Sequence, residues 1–473
     1  MQDSMQHIIL AKLETSLDTF YPPFGILYVA NALERAGYKV TVFHEIGNKR
    51  NTQRLLEMIA KNDALFIGFS TMTGPQLIPT VKVSKLIKRQ VPNLLNVWGG
   101  IHPTILPGQC LSEDFVDMVV IGEGEETTVE LANALRDKKN LDTIKGLGYK
   151  EEENIRINEF RDFIDLDYYS PSWHSVNLDR YFKKKWGFKR VLPILISRGC
   201  PHRCGFCYNS IVNRKIWRGP GLEKSIQEIE NLKRNYAIDG VLFYDDSFFT
   251  DTNRALEIIR QIDLPWFGEI RADYVDESLI KEMIRYNCQR LYVGAESGSQ
   301  RMLDIIQKDI ELKDIVRCVR LCKKYNLELN LSFMTGIPGE SISDTRKTMD
   351  FIDYLSKVYP EINIDFKIYT PYPGTPLWNE ALKYGLDEPR KTIAWASYQR
   401  EICNLPWIEN PARLETMRYA CSLAFSQIKP PKINQFKNIL RKILIYIEKI
   451  RWKNRFFEFP MELRLLSFIK LIR

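Results

Sequence analysis

Short apolar runs and amphipathic stretches alternate along the first 150 residues. Residues 7–11, 39–43, 64–69, 95–98 and 116–121 are apolar runs of strand length. Residues 27–35, closed by Gly37, and 77–89 instead place apolar side chains at helical intervals. Strand–helix alternation at this spacing predicts an α/β domain over residues 1–150, built as a doubly wound parallel sheet. Such sheets take ligands beyond the carboxyl ends of their strands. The loops there are small and polar: Ser70-Thr71-Met72-Thr73-Gly74, Gly99-Gly100-Ile101-His102 and Gly122-Glu123-Gly124-Glu125-Glu126.

Residues 151–190, with Pro171 and the basic run Lys183-Lys184-Lys185, read as a connector. Six more strand candidates follow, at 191–196, 240–244, 266–270, 290–293, 329–334 and 364–369, with helical patterns such as 223–235 and 252–262 between them. They make six β/α units over residues 191–400. The last five strands end in Asp245-Asp246-Ser247-Phe248, Arg271-Ala272-Asp273, Gly294-Ala295-Glu296-Ser297-Gly298, Gly336-Ile337-Pro338-Gly339-Glu340 and Tyr372-Pro373-Gly374-Thr375. Catalytic loops of a β/α barrel occupy those ends. Asp245, Asp246 or Ser297 taken singly reads equally as a helix amino-terminal cap; five such loops at one mouth read as a site. Cys318 and Cys322, four apart on the helical pattern 316–325, read as small buried apolar residues.

Residues 401–473 read as a helical region with a basic tail. Phe436, Ile439, Leu440, Ile443, Leu444 and Ile447 share one helix face, with Lys437, Arg441, Lys442 and Lys449 off it. Trp452, Phe456, Phe457, Phe459, Leu465, Leu466 and Phe468 then interleave with Lys and Arg. From Lys429 to Arg473 there are twelve Lys or Arg and three Glu, so the net +8 of the 473-residue chain lies in its tail and leaves the rest at −1. That distribution argues against a nucleic-acid role for the body of the protein. The tail itself reads either as an amphipathic helix for an anionic membrane surface or as a helix packed on the barrel.

The hydrophobic fraction of 45% and charged fraction of 27% are those of a soluble globular protein with two or three domains. The first twenty residues lack a basic start and apolar core, and no run of about eighteen apolar residues exists to span a bilayer. Nine cysteines, an odd number, suit the reducing cytoplasm, with the tail leaving room for a peripheral position on the inner membrane surface.

Three of those cysteines stand together. After the apolar run at 191–196, Arg198-Gly199 and Pro201 open a loop holding Cys200, Cys204 and Cys207. Three thiols this close do not pair off as disulfides; the spacing is that of metal or cluster ligands, with one coordination position left open. A structural zinc using His202 as fourth ligand is cramped, because His202 lies two residues from both Cys200 and Cys204. The Cys-x3-Cys-x2-Cys spacing, with Phe206 just before the last cysteine, resembles the radical SAM superfamily. The resemblance implies a 4Fe–4S cluster on these cysteines, with S-adenosylmethionine chelating the fourth iron, and a partial (β/α)6 barrel around it. By position it implies that Asp245 and Asp246 hold the methionine amino group. Glu296 would contact the ribose or amino end, and Gly336 would lie near the adenine.

The amino-terminal loops resemble the cobalamin-binding domain. Ser70-Thr71-Met72 and Gly99-Gly100, with 26 residues between them, reproduce two elements of its pattern. The Asp-x-His-x-x-Gly element is absent, so no histidine is expected to ligate cobalt from below. Gly99-Gly100-Ile101-His102-Pro103-Thr104 and the Gly-Glu-Gly-Glu loop also match radical SAM proteins with this domain. Ser70, Thr71, Gly99, Gly100 and His102 are therefore the expected cobalamin contacts. An ordinary Rossmann-like domain with turn glycines is the plainer alternative. The combined resemblance implies a C-methyltransferase acting on an unactivated carbon of a small molecule, a lipophilic one included, through a 5′-deoxyadenosyl radical and served by an electron donor such as flavodoxin or ferredoxin. A cyclase or rearranging enzyme with the same cofactors is the second reading, and a non-catalytic sensor the third.

Overall fold

The computed structural model describes residues 5–16, 21–152, 154–185, 187–398, 405–425 and 435–458. They fall into two compact units: Met1–Arg198 with Ile211–Gly240 and Glu388–Gln399, and Gly199–Ser210 with Val241–Asp387 and Arg400–Arg473.

The first unit is built on strands β1 (His7–Glu14), β2 (Lys39–Ile46), β3 (Ala64–Ser70), β4 (Leu95–Gly99), β5 (Met118–Val120), β6 (Leu147–Glu151) and β7 (Asn154–Ile157). They form one sheet in the order β2-β1-β3-β4-β5-β6-β7. Strands β1 to β5 are parallel, as the alternation predicts, and β6 and β7 add an antiparallel edge. Every residue of β7 is exposed, so it carries no apolar run by which to find it. Strand β1 is buried on both faces, which is why its sequence is continuously apolar rather than alternating. Ile8 and Leu10 pack with Leu33, Phe66, Val97, Leu131 and Leu147 in the core. The strand order reverses between β1 and β3, the kind of position beside which sheets of this class take ligands.

Residues 151–198, read above as mostly connector, belong to this same unit. They end in the antiparallel pair β8 (Lys183–Lys185) and β9 (Phe188–Ile194). Tyr181 fastens this segment to β2: its ring stacks on His44 at 5.6 Å, and its hydroxyl lies 2.8 Å from His44 Nδ1.

The second unit holds β10 (Gly240–Phe243), β11 (Trp266–Glu269), β12 (Cys288–Glu296), β13 (Glu328–Thr335) and β14 (Asn363–Ile368), paired in chain order and all parallel. This is the curled sheet of a partial barrel. Helices return the chain between strands, and local signals set their starts. Asp251 and Asp276 cap helices Thr252–Gln261 and Glu277–Arg285. Capping boxes, Glu311 with Asp314 and Ser341 with Asp344, open Leu312–Lys324 and Ile342–Val358. Cys318 and Cys322 are fully buried on Leu312–Lys324, as expected.

Helix Gln435–Asn454 occupies the described part of the tail; Phe459, Leu465, Leu466 and Phe468 lie outside the described residues. Its carboxyl end is docked. Trp452 is buried edge-on to Phe366 and Phe425, and its indole N–H donates to Asp353 Oδ1 at 2.7 Å. Arg455 binds Asp350 and Asp353. The expected apolar face is corrected: Leu440, Leu444, Ile445 and Ile447 are half-buried, while Ile439, Ile443, Tyr446 and Ile450 form the exposed stripe. The helix turns its Glu448 side inward, and packing at Trp452 fixes that rotation.

Candidate functional site

The cysteine loop is held at several points within the second unit. Gly199 N–H donates to Asp246 Oδ2 at 2.9 Å, so the acidic end of β10 fixes the loop one residue before Cys200. Gly205 N–H donates to the Ile306 carbonyl, and its own carbonyl accepts from Leu377 N–H at 2.9 Å. A side chain there would press on Leu377 at 3.2 Å. His202 Nε2 lies 2.7 Å from the Tyr274 hydroxyl. Cys204 is buried, while Cys200 and Cys207 are half-buried; all three are free thiols. Burial pushes the Cys200 thiol up and the Cys207 thiol up to about 12, so a metal must displace their protons to bind them.

A single tetrahedral ion asks its donors to converge on one point. Among the described residues no group of three or more His, Cys, Asp or Glu side chains does so. A four-iron cluster makes a different demand: each thiolate takes its own iron, and the sulphurs stand apart. The free thiols on a pinned loop fit that donor set.

The other expected residues of this unit cluster at the strands' carboxyl ends. None of Asp245, Asp246 and Ser297 caps a described helix; Ser297 Oγ lies 3.0 Å from Thr348 Oγ1. Glu296 ends β12 at φ +61°, a left-handed conformation that costs a non-glycine residue about 1–3 kcal/mol. Its Oε1 accepts from Lys308 Nζ at 2.9 Å. Phe206 lies beneath that ammonium, 5.8 Å from ring centroid to Nζ. Gly336 has φ +79° and its carbonyl accepts from Trp407 Nε1 at 3.0 Å. Glu340 braces the same loop, accepting from Gly336 N–H at 2.6 Å and Thr335 Oγ1 at 3.0 Å.

In the first unit the expected loops meet at the ends of β3 and β4. Thr71 N–H donates to the Gly99 carbonyl at 2.8 Å, and His102 N–H to the Thr71 carbonyl. Gly100, at φ +97°, is the tightest point: a Cβ there would meet Thr71 O at 2.7 Å, Thr71 N at 3.0 Å and Ser70 Oγ at 3.3 Å. Gly99 has room, with Val120 no nearer than 3.7 Å. His102 is wholly buried with Nδ1 on Thr73 Oγ1 at 3.0 Å, and among the described residues its Nε2 has no hydrogen-bond partner. Tight backbone at Gly100 and open space at Gly99 fit the nucleotide tail of a cobalamin.

Burial holds His102 down to about 4. Its folded-state value lies below the ordinary 6.5, so its stabilising contribution is complete above pH 6.5 and lost as pH falls towards 4. The loss is roughly 3 kcal/mol at about 1.4 kcal/mol per pH unit. Urea unfolding at pH 7 and pH 4.5 should show wild type losing more stability than His102→Gln; equal losses would refute this.

Pattern reading missed the anchor between the Gly-Glu-Gly-Glu loop and the strand leading to the cysteines. Arg198 is half-buried, donating to Glu123 Oε1 and Glu125 Oε1, both at 2.7 Å, over the Tyr28 ring at 4.3 Å. Arg218 also binds Glu123, and Arg198 and Arg218 exchange backbone hydrogen bonds. Burial pushes the Glu123 carboxyl up, but Arg198 and Arg218 outweigh it and hold it below its usual range. The available signal was an arginine before the cysteines and two glutamates in a glycine loop, but their pairing spans 73 and 75 residues.

Family models place the Radical SAM superfamily on residues 194–352 and the B12 binding domain on residues 12–132. A curated relative, an uncharacterized methyltransferase of Pyrococcus horikoshii, is 33% identical over 385 residues, covering 80% of this chain and 81% of its own. The chain belongs to the B12-binding radical SAM family. The anaerobic magnesium-protoporphyrin IX monomethyl ester cyclase of Cereibacter sphaeroides is 26% identical over 380 residues, and this chain spans 60% of that protein's length. Among solved structures, the radical SAM methyltransferase TsrM of Kitasatospora setae, with cobalamin and a 4Fe–4S cluster bound, matches at TM-score 0.66 and 19% identity. The match covers 81% of this chain and 80% of that one. The cobalamin-dependent radical enzyme OxsB matches at TM-score 0.71 and 16% identity over 99% of this chain and 75% of its own. At these identities the likeness is one of fold. As a B12-binding radical SAM enzyme, the protein takes a 4Fe–4S cluster, S-adenosylmethionine and cobalamin.

Proposed function

We propose that this enzyme is a radical C-methyltransferase that places a methyl group on an unactivated carbon of a small molecule. The supporting observation is the pairing, in one chain, of a three-thiol loop with a glycine-lined cobalamin cradle, in a relative of a methyltransferase at 33% identity. Together the cofactors supply a 5′-deoxyadenosyl radical to remove a hydrogen atom and a methyl group to replace it. In this reading Cys200, Cys204 and Cys207 hold the cluster. Phe206, Asp245, Asp246, Glu296 and Gly336 hold S-adenosylmethionine, and Ser70, Thr71, Gly99, Gly100 and His102 hold cobalamin. Asp246 keeps the loop in place through Gly199, and Glu340 keeps Gly336 in place. A flavodoxin or ferredoxin supplies the electron.

The test is product analysis under anaerobic conditions, with reconstituted enzyme, reductant, methyl-deuterated S-adenosylmethionine and cell extract as substrate source. Methylation yields both 5′-deoxyadenosine and S-adenosylhomocysteine, with label in a new small molecule. The cyclase relatives favour a second reading, cyclisation or rearrangement. Substrate-dependent 5′-deoxyadenosine without S-adenosylhomocysteine would establish that reading and defeat methylation.

We also infer that helix Gln435–Asn454 docks on an anionic membrane surface. Ile439, Ile443, Tyr446 and Ile450 lie on one line, each 44–66% exposed, and exposed Lys442, Lys449 and Lys453 run along its flank. Among the described residues no helix is long and apolar enough to cross a membrane, so contact would be interfacial. Each interfacial cation contributes about 1 kcal/mol near an anionic bilayer. The full chain should sediment with phosphatidylserine vesicles at low salt and be released by salt. Ile443→Glu with Ile450→Glu should stay in the supernatant. A full chain that stays there too ends the proposal.

A further inference from the structure

Cys204 is the deepest of the three cysteines; a buried guanidinium lies against it, and a buried ammonium stands on the turn that holds that guanidinium. Arg271, which follows β11, is 9% exposed, and its Nη1 lies 4.0 Å from Cys204 Sγ. Its other donors are committed. Nε and Nη2 bind the two oxygens of Asp273 at 3.0 and 3.2 Å, and Nη2 also reaches the carbonyls of Lys308 at 2.8 Å and Asp309 at 3.2 Å. Those carbonyls are presented by a turn whose Gln307 and Asp309 have φ of +51° and +52°. Left-handed non-glycine residues are unfavourable, and they persist where surrounding structure demands them. Lys308 is 8% exposed, with Nζ on Glu296. Burial opposes its charge, but Glu296 outweighs burial and holds the ammonium above its usual range.

We propose that Arg271 and Lys308 are positioning cations that set how readily the cluster held by Cys204 accepts an electron. Reduction adds one negative charge to a cluster already carrying thiolates. A fixed guanidinium facing the sulphur stabilises that added charge, and burial keeps solvent from screening it. Hydrogen bonds and charge around cluster sulphurs are among the main determinants of cluster potential. Orientation gives the effect its sign: Asp273 and the two carbonyls draw on Nε and Nη2, so Nη1 faces the sulphur. The proposal rests on the cluster assignment but on neither methylation nor cyclisation, because it concerns the electron before any substrate reacts.

The test is a redox titration, followed by electron paramagnetic resonance, of reconstituted wild type, Arg271→Gln, Arg271→Lys and Lys308→Gln, with iron content measured on each and no substrate present. At a fixed dithionite potential, Arg271→Gln should cut the ratio of reduced to oxidised cluster about tenfold, a midpoint shift of about 59 mV for one electron. Arg271→Lys should recover most of it, and Lys308→Gln should shift the same way. A full iron complement with wild-type midpoints in Arg271→Gln overturns the proposal. If Arg271→Gln fails to hold iron, an unchanged midpoint in Lys308→Gln overturns it instead.

Discussion

Replacing Cys200, Cys204 and Cys207 together by Ala should abolish the brown, oxygen-sensitive chromophore of anaerobically reconstituted protein and all formation of 5′-deoxyadenosine. The loop should nevertheless keep its place. Gly199 is tied to Asp246, Gly205 to Ile306 and Leu377, and His202 to Tyr274, and none of these bonds uses a cysteine sulphur. The loss therefore reports on ligation rather than folding, and circular dichroism should be unchanged. Retention of about four irons per chain in the triple variant would refute the ligand assignment. Single variants should lose nearly as much, because a cluster short of one thiolate has exposed iron that dissociates or oxidises.

Gly99→Leu should weaken cobalamin binding at least tenfold, about 1.4 kcal/mol, while leaving the fold intact. The neighbours of Gly99 leave ordinary van der Waals space for a Cβ, so a longer side chain extends into the space that a ligand needs. Gly100→Ala should behave differently. Its φ of +97° and the 2.7 Å approach to Thr71 O penalise the folded protein with or without cobalamin. Thermal unfolding of the apoprotein separates the two: a lowered midpoint for Gly100→Ala and a near wild-type one for Gly99→Leu. Normal cobalamin retention by folded Gly99→Leu would place the tail elsewhere. With His102 buried against Thr73, the cob(II)alamin spectrum should also lack nitrogen superhyperfine splitting from a protein imidazole.

Much of this was legible along the chain because its signals are local. Strands β1 to β5 and β10 to β14 are apolar runs wherever parallel sheets bury both faces. The helices between them begin at short-range caps such as Asp251, Asp276 and Ser341. The cysteine spacing lies within eight residues, and the glycines at 99 and 100 adjoin the strand they end. Strand β7 escaped because all four of its residues are exposed and carry no burial pattern. The tail helix was found, but its exposed face was not, since packing at Trp452 chose the rotation from a sequence that is apolar on more than one side.

The two β/α sheets, the thiol loop, the glycine cradle and hence the cofactor class follow from residues close together in the chain, so pattern and spacing alone reveal them. What surrounds them came from folding. Arg198 meets Glu123 and Glu125, Arg271 meets Cys204 across 67 residues, and Glu296 meets Lys308 at the end of a strand. Periodicity carries no record of such pairs, since a charged residue reads as surface until folding buries it beside its partner.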